Sequence, residues 1–374
     1  MKILFTGGAT GGHFYPLIAI AKALREIVRK EKILDPEFYF MGPNPYDERL
    51  LFENNITFLR APAGKIRRYF SLANITDGIK TSIGMIRAIF TVFFMYPDVV
   101  VGKGGYGSFP ALFAAKLFKI PVIIHESDSK PGRVNSWAGK FAKRIAISYP
   151  QTSQYFPPEK TALTGCPIRD DVAKPILEGG YEFLKLEKGV PIILILGGSQ
   201  GARTMNDTIL DTLFTLVQSF QIIHQTGQDH FKEVTGTAQV ILEKSEHKNR
   251  YLPLPYLNVL ALRMAAGVSS LVISRAGSTI FEIAAWGLPS IIVPIPQEVS
   301  HDQMGNAFAY ARSGAATVIE QKNLSPSILE HEIRKIVEHQ EISEAMRKAA
   351  QSFSSEAAAK TIAQEIYAIA TTHE

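Results

Sequence analysis

Residues Thr6 to Phe14 read TGGATGGHF. They follow the short apolar run KILF and precede YPLIAIAKAL, whose apolar residues recur with helical spacing. Four glycines crowd a strand-to-helix turn, and His13 sits at the mouth of the helix. Glycine lets a ligand approach the backbone closely and tolerates positive φ. A helix N-terminus offers unpaired N–H groups and a partial positive charge, so it attracts phosphate.

The same device recurs. ILFTGGATGGHFYPL, VVVGKGGYGSFPAL, ILILGGSQGARTMN and LVISRAGSTIFEIA each run from an apolar strand through a Gly/Ser/Thr turn into a helix. Ligands of open α/β sheets bind outside the carboxyl ends of the strands. One such turn can be an ordinary connection. Four, divided between two halves of the chain, point to a phosphate-bearing ligand between two domains. GGATGG does not match G-x-G-x-x-G, because alanine holds the third position, and no G-x-x-x-x-G-K-[ST] or D-x-D occurs. The nine histidines lack metal-ligand spacing. No cofactor and no metal are expected, so helix N-termini and basic side chains should carry a pyrophosphate's charge.

The elements that position these turns alternate along the chain. Strands are expected at KILFT, EFYFM, ITFLR, DVVVG, PVIIHE and RIAIS, then at PIILILG, QIIHQTG, RYLPL, SLVIS and SIIVPIP. Runs such as VIIH and IILIL are apolar on both faces, as in parallel strands covered by helices on both sides. The β-α-β-α order predicts an α/β protein of two doubly wound, Rossmann-like domains. A length of 374 residues suits two domains. Pro and Gly punctuate LTGCPIRDDVAKP, placing the boundary near residue 165: domains at 1–165 and 166–349, with the helix at 350–374 packing back on the first.

Net charge is +5, compatible with phosphates or an anionic surface. The single cysteine, Cys166, permits no internal disulfide. The most membrane-like stretch, IGMIRAIFTVFFMYPD, is interrupted by Arg87 and closed by Pro97. A span needs ~20 apolar residues, so the chain is expected to lie against a membrane rather than cross one.

Five stretches, GGATGGH, GKGGYGSFPALFAAKLFKIPVIIHE, GGSQGARTMN, SRAGSTIFEIAAWGLPSIIVPIP and HDQMGNA, occur in this order over about residues 7 to 307. On them the chain resembles the MurG family, the peripheral membrane N-acetylglucosaminyltransferases of peptidoglycan synthesis. The resemblance implies a GT-B fold with its two domains facing a cleft. It also implies inverting, metal-independent transfer of GlcNAc from UDP-GlcNAc to the C4 hydroxyl of MurNAc in lipid I, giving lipid II and UDP. The implied partners are UDP-GlcNAc, lipid I and the anionic cytoplasmic membrane surface, with no nucleic acid. A related GT-B enzyme using diacylglycerol or another lipid acceptor is the alternative; a nucleotide-sugar epimerase would need a cluster of acidic residues that is not apparent.

The same resemblance assigns roles. Thr10, Gly11 and Gly12 match backbone donors near the sugar and acceptor pyrophosphate. His13 matches a proposed general base, which a helix dipole would keep neutral; Glu126 competes for that role, and His125 shapes the site. Asp128 stands where the family has Asn, which brings a negative charge to the donor-sugar contact unless Lys130 or Arg133 pairs with it. Ser199 and Arg169 match contacts to the UDP diphosphate. Glu282 matches the ribose-binding carboxylate, although the Arg275–Glu282 spacing is one residue short, leaving open which of Ser278, Thr279 and Ile280 supply backbone contacts. Leu257 would offer its backbone to uracil. Gln303 matches the donor-sugar reader, with Asn306 one turn on. Helix capping, surface polarity and local ion pairing are the ordinary alternatives for Ser199, Arg169, Gln303 and Asn306. For the membrane face, Lys65, Arg67, Arg68, Lys80 and Arg87 interleave with Phe70, Ile79, Ile83, Met85, Ile86, Ile89, Phe90, Phe93 and Phe94; an amphipathic crossover helix is the plain alternative.

Overall fold

The structure, a computed structural model, describes residues 1–8, 10–65, 73–197, 202–296 and 303–372. The chain divides into two compact units, Met1–Arg169 with Ser355–Glu374, and Asp170–Ser354. The division falls four residues beyond the expected 165 and five beyond the expected 350. Local bonds explain both shifts. Thr164 and Gly165 donate their N–H groups to Ile147 O, and Ser355 Oγ bonds Thr164 O, all within the first unit. Phe353 instead stacks on Phe281 and packs edge-on against Tyr310 in the second.

The first unit holds seven parallel strands: β1 (Lys2–Thr6), β2 (Glu37–Gly42), β3 (Ile56–Arg60), β4 (Val99–Gly102), β5 (Val122–Glu126), β6 (Arg144–Ile147) and β7 (Thr161–Leu163), in the order β3-β2-β1-β4-β5-β6-β7. The second holds six: β8 (Ile192–Leu196), β9 (Gln221–Gln225), β10 (Tyr251–Leu254), β11 (Leu271–Ser274), β12 (Ser290–Ile292) and β13 (Ala316–Val318), in the order β10-β9-β8-β11-β12-β13. All eleven expected strands form. The edge strands β7 and β13, three residues each, were not expected.

Alternation along the strands builds two cores per sheet. Ile3, Phe5, Val99 and Val101 face one layer, whereas Leu4 and Val100 face the other. Ile193 and Ile195 likewise oppose Ile192, Leu194 and Leu196. Such double burial is why the strands are continuously apolar. Strand order reverses between β1 and β4, and between β8 and β11. Crevices for ligands open at the carboxyl ends of strands at such reversals.

The C-terminal helix Ala358–Thr371 packs on the Gly11–Lys30 helix, burying Ile362, Ala363, Ile366 and Ile369 in the first unit's core. Arg144 pairs with Glu365 at 2.7 Å.

The Ala73–Met95 helix is the one helix among the described residues long and apolar enough to cross a membrane by length and composition. A single span there would put β3 and β4 on opposite sides of a bilayer. Both strands belong to one hydrogen-bonded sheet, so this helix is a crossover that lies along the unit. Gly84, Ala88 and Val92 face inward, and Ile75, Ile79, Ile83, Ile86, Phe90, Phe93 and Phe94 are exposed, Phe94 at 80%.

Ile366→Ala, which empties a buried site shared by the terminal helix, should lower the first unit's unfolding free energy by roughly 2–5 kcal/mol, measured by urea denaturation.

Candidate active site

Thr10 is extended (φ −130°, ψ 157°) and opens the Gly11–Lys30 helix. Its carbonyl accepts the N–H groups of His13 and Phe14 at 3.0 and 3.1 Å. Its Oγ1 lies 2.7 Å from His13 Nδ1. Phe14 is fully buried against Phe40 and Tyr46, which fixes the start of the helix. The imidazole edge bearing Nε2 faces the second glycine loop. Gly105 has φ +77°, and a Cβ there would lie 2.8 Å from Gly8 Cα and 3.2 Å from His13 Nε2. No side chain fits between these loops. Thus Thr10, His13 and the Gly104–Gly105 backbone are brought together at the carboxyl ends of β1 and β4.

The His13 pKa is pushed down to about 4, first by burial, then by the Lys103 ammonium, against the opposing pull of Asp128. The imidazole is neutral at pH 7, as expected, with burial and a lysine both holding it so. Lys103 was not picked out from the sequence. It is 2% exposed, donates its backbone N–H to Thr6 O at 2.9 Å, and donates from Nζ to Ser127 Oγ at 2.6 Å. A signal existed: a lysine directly after the fully buried strand VVVG.

Glu126 is buried at the end of β5. Its Oε1 accepts from Asp128 N at 3.0 Å, and its Oε2 from Gly132 N at 3.1 Å and Asn135 Nδ2 at 2.9 Å. Burial, with Asp128 beside it, raises its pKa to about 7, while Lys103 works against the rise. These three donors tie the loop at 127–132 to the end of β5. Asn135 also bonds His125 O at 3.1 Å and escaped the sequence analysis. His125 is fully buried, lies 3.1 Å by Nε2 from both Gly165 O and Ser148 Oγ, and is held neutral chiefly by burial. Because a carbonyl only accepts, Nε2 carries the proton. Asp128 is half-buried and its charge acts on both His13 and Glu126. Arg169 lays its guanidinium over the Tyr15 ring at 4.2 Å, one residue beyond Phe14 on the His13 helix.

In the second unit, Ser199 lies outside the described residues, as do Arg67, Arg68 and Phe70. The Arg203–Ser219 helix that follows the GGSQGA loop is tied down by a buried chain of bonds. Tyr251 Oη lies 2.9 Å from His224 Nδ1, His224 Nε2 lies 3.1 Å from Asn206 Oδ1, and Asn206 Nδ2 donates to Thr226 O. Burial lowers the His224 pKa to about 3, so this link stays neutral.

Leu257 is buried and donates its N–H to Gln225 Oε1 at 3.0 Å. That amide is therefore committed, and only the carbonyl remains for the expected backbone contact. Ser278 and Thr279 open the Thr279–Trp286 helix, and Glu282 stands half-buried in its first turn. Ile280 N–H already bonds Gly277 O, which narrows the candidate backbone donors to Ser278 and Thr279. Gln303 Oε1 accepts from Ala276 N at 3.2 Å and Ile295 N at 3.1 Å, so its NH₂ is the group left to read a ligand. Asn306 is 2% exposed and bonds Ala276 O by Nδ2 at 3.3 Å. Through that bond it braces the turn after β11.

Two family models match the chain: the glycosyltransferase family 28 N-terminal domain over residues 3–147 and the family 28 C-terminal domain over residues 192–365. The chain belongs to glycosyltransferase family 28, and its two parallel-sheet units are those of the GT-B fold. A Treponema denticola protein is 35% identical over 341 residues, covering 87% of this chain and 85% of its own. It is named UDP-N-acetylglucosamine--N-acetylmuramyl-(pentapeptide) pyrophosphoryl-undecaprenol N-acetylglucosamine transferase. A Bacillus cereus protein named as the second transferase of that kind is 32% identical over 368 residues, covering 98% and 99%. The crystal structure of MurG from Acinetobacter baumannii shares the fold with a TM-score of 0.72 at 24% identity, covering 98% of this chain and 99% of that one.

Glu126→Gln replaces one accepting oxygen with a donor facing donors. It should cost about 1–3 kcal/mol, read as a lower melting temperature, whereas a surface Glu341→Gln control should leave it unchanged.

Proposed function

We propose that this chain transfers N-acetylglucosamine from UDP-GlcNAc to the C4 hydroxyl of MurNAc in lipid I, with inversion, giving lipid II and UDP. The observation that carries it is an imidazole fixed by Thr10 between two glycine loops, in a chain 35% identical to a relative bearing that activity in its name. With Nδ1–H donated to Thr10 Oγ1, Nε2 holds the lone pair. It accepts the C4 proton as that oxygen attacks C1 of the donor sugar; the C4–O–C1 bond forms, the C1–O bond to the diphosphate breaks, and UDP departs. An imidazole held near pKa 4 is a weak base. A diphosphate bound beside it favours imidazolium and restores its basicity as substrate arrives.

The other roles follow the same proposal. Thr10, Gly11 and Gly12 present backbone to the acceptor. Arg169, Ser199 and the helix starts of the second unit receive the UDP phosphates. Glu282 holds the ribose, and the Gln303 NH₂ contacts the sugar. Asp128 faces the donor sugar, where a basic side chain has to balance its charge.

The exposed apolar stripe of the Ala73–Met95 helix, with Lys80 and Arg87 on the same helix and Lys116, Lys119 and Lys143 elsewhere on the unit, supports a peripheral seat on an anionic bilayer. That seat is the cytoplasmic face of the cell membrane, where the lipid-borne acceptor is met.

Purified protein with UDP-GlcNAc and a short-chain lipid I analogue should release UDP. Turnover with diacylglycerol and none with lipid I would overturn the acceptor assignment. His13→Ala should lower kcat by roughly 10²–10⁴-fold, and a change confined to KM would mark it as a binding residue. The acidic limb of kcat/KM, which reports the free enzyme, should fall near pH 4, because the base is lost only once His13 is protonated.

A further inference from the structure

Lys103 is among the largest fully buried side chains of the chain. Lysine is rarely buried so completely without a task. It follows β4 at the point where the order of the first sheet reverses, and its recorded side-chain partner is a neutral hydroxyl, Ser127 Oγ at 2.6 Å. The neighbours of that hydroxyl are Glu126 and Asp128. Glu126 is already bound to Asp128 N, Gly132 N and Asn135 Nδ2, so the lysine is a second anchor of the same loop. Lys103 also immediately precedes the glycine pair whose backbone closes on His13 Nε2.

We propose that Lys103 is a positioning residue of the transfer site: a buried ammonium, fastened to Ser127, that holds the β4 and β5 loops together and sets the charge environment in which His13 accepts a proton. The proposal rests on His13 being the base.

The Lys103 charge acts on His13, His125 and Glu126, disfavouring protonation of each. The charged groups acting on His13 are Lys103 beyond β4 and Asp128 beyond β5, and both also act on Glu126 at the end of β5. On its own helix stands Tyr15, carrying Arg169. Lys103 and Asp128 pull in opposite directions. Removing the ammonium leaves burial alone to oppose Asp128, so imidazolium becomes easier to form.

The test is an NMR titration of the full chain with labelled histidine, His13 being assigned by its loss in His13→Ala. Lys103→Met should raise the His13 midpoint by about one pH unit or more, and Lys103→Arg should keep it near the wild-type value. Lys103→Gln, which preserves a donor for Ser127 without the charge, gives the same reading where the methionine variant folds poorly. A midpoint unchanged in both neutral variants overturns the proposal. The acidic limb of kcat/KM should move upward with the midpoint. If the midpoint moves and the limb does not, Lys103 keeps its electrostatic role and His13 loses its role as the base.

Discussion

Two loops of the first unit touch through their backbones. The turn after β1 and the turn after β4 approach so closely that Gly105 lies against Gly8 and the Nε2 edge of His13. Gly105 needs a left-handed φ there, and any Cβ would strike backbone rather than a movable side chain. This contact sets the Nε2 edge of the His13 ring against the Gly105 backbone. Thr10 holds the other ring nitrogen, so the imidazole has one orientation. The buried strands, the aromatic packing of Phe14 and the clamp made by Glu126 all maintain that approach.

Electrostatics follow from the same closeness. Burial keeps His13 uncharged, and a lysine inside the protein reinforces it. Glu126 is pushed the other way by burial and by Asp128. A site of this kind is weakly basic when empty and gains basicity when an anion enters. An anionic acceptor then creates the charge environment its own reaction needs, which suits an enzyme whose proposed substrates both carry diphosphates.

Much of this was legible in the sequence. Strands buried on both faces are continuously apolar, so β1, β4, β5, β8, β9 and β11 stand out, and the glycine turns after β1, β4, β8 and β11 locate the carboxyl ends. The edge strands β3 and β10 are partly exposed but long enough to read, whereas β7 and β13, partly exposed and three residues each, are too short to carry a pattern. Residue types at the site were also readable, but the commitment of their atoms was not. Gln303 and Asn306 each spend a polar group on a distant backbone partner, Leu257 spends its N–H on the Gln225 side chain, and Glu126 spends its carboxyl on the loop that follows it. Lys103 went unseen because a lysine among glycines reads as a solvated loop residue, whereas the turn folds it inward.

The close contact of the two glycine loops can be tested at its centre. Gly105→Ala inserts one methyl between Gly8 and His13. The account predicts at least a ~100-fold fall in kcat, with UDP-GlcNAc still bound and far-ultraviolet circular dichroism unchanged. An alanine variant that turns over at the wild-type rate would contradict it, because the His13 ring would then not depend on the approach of the two backbones.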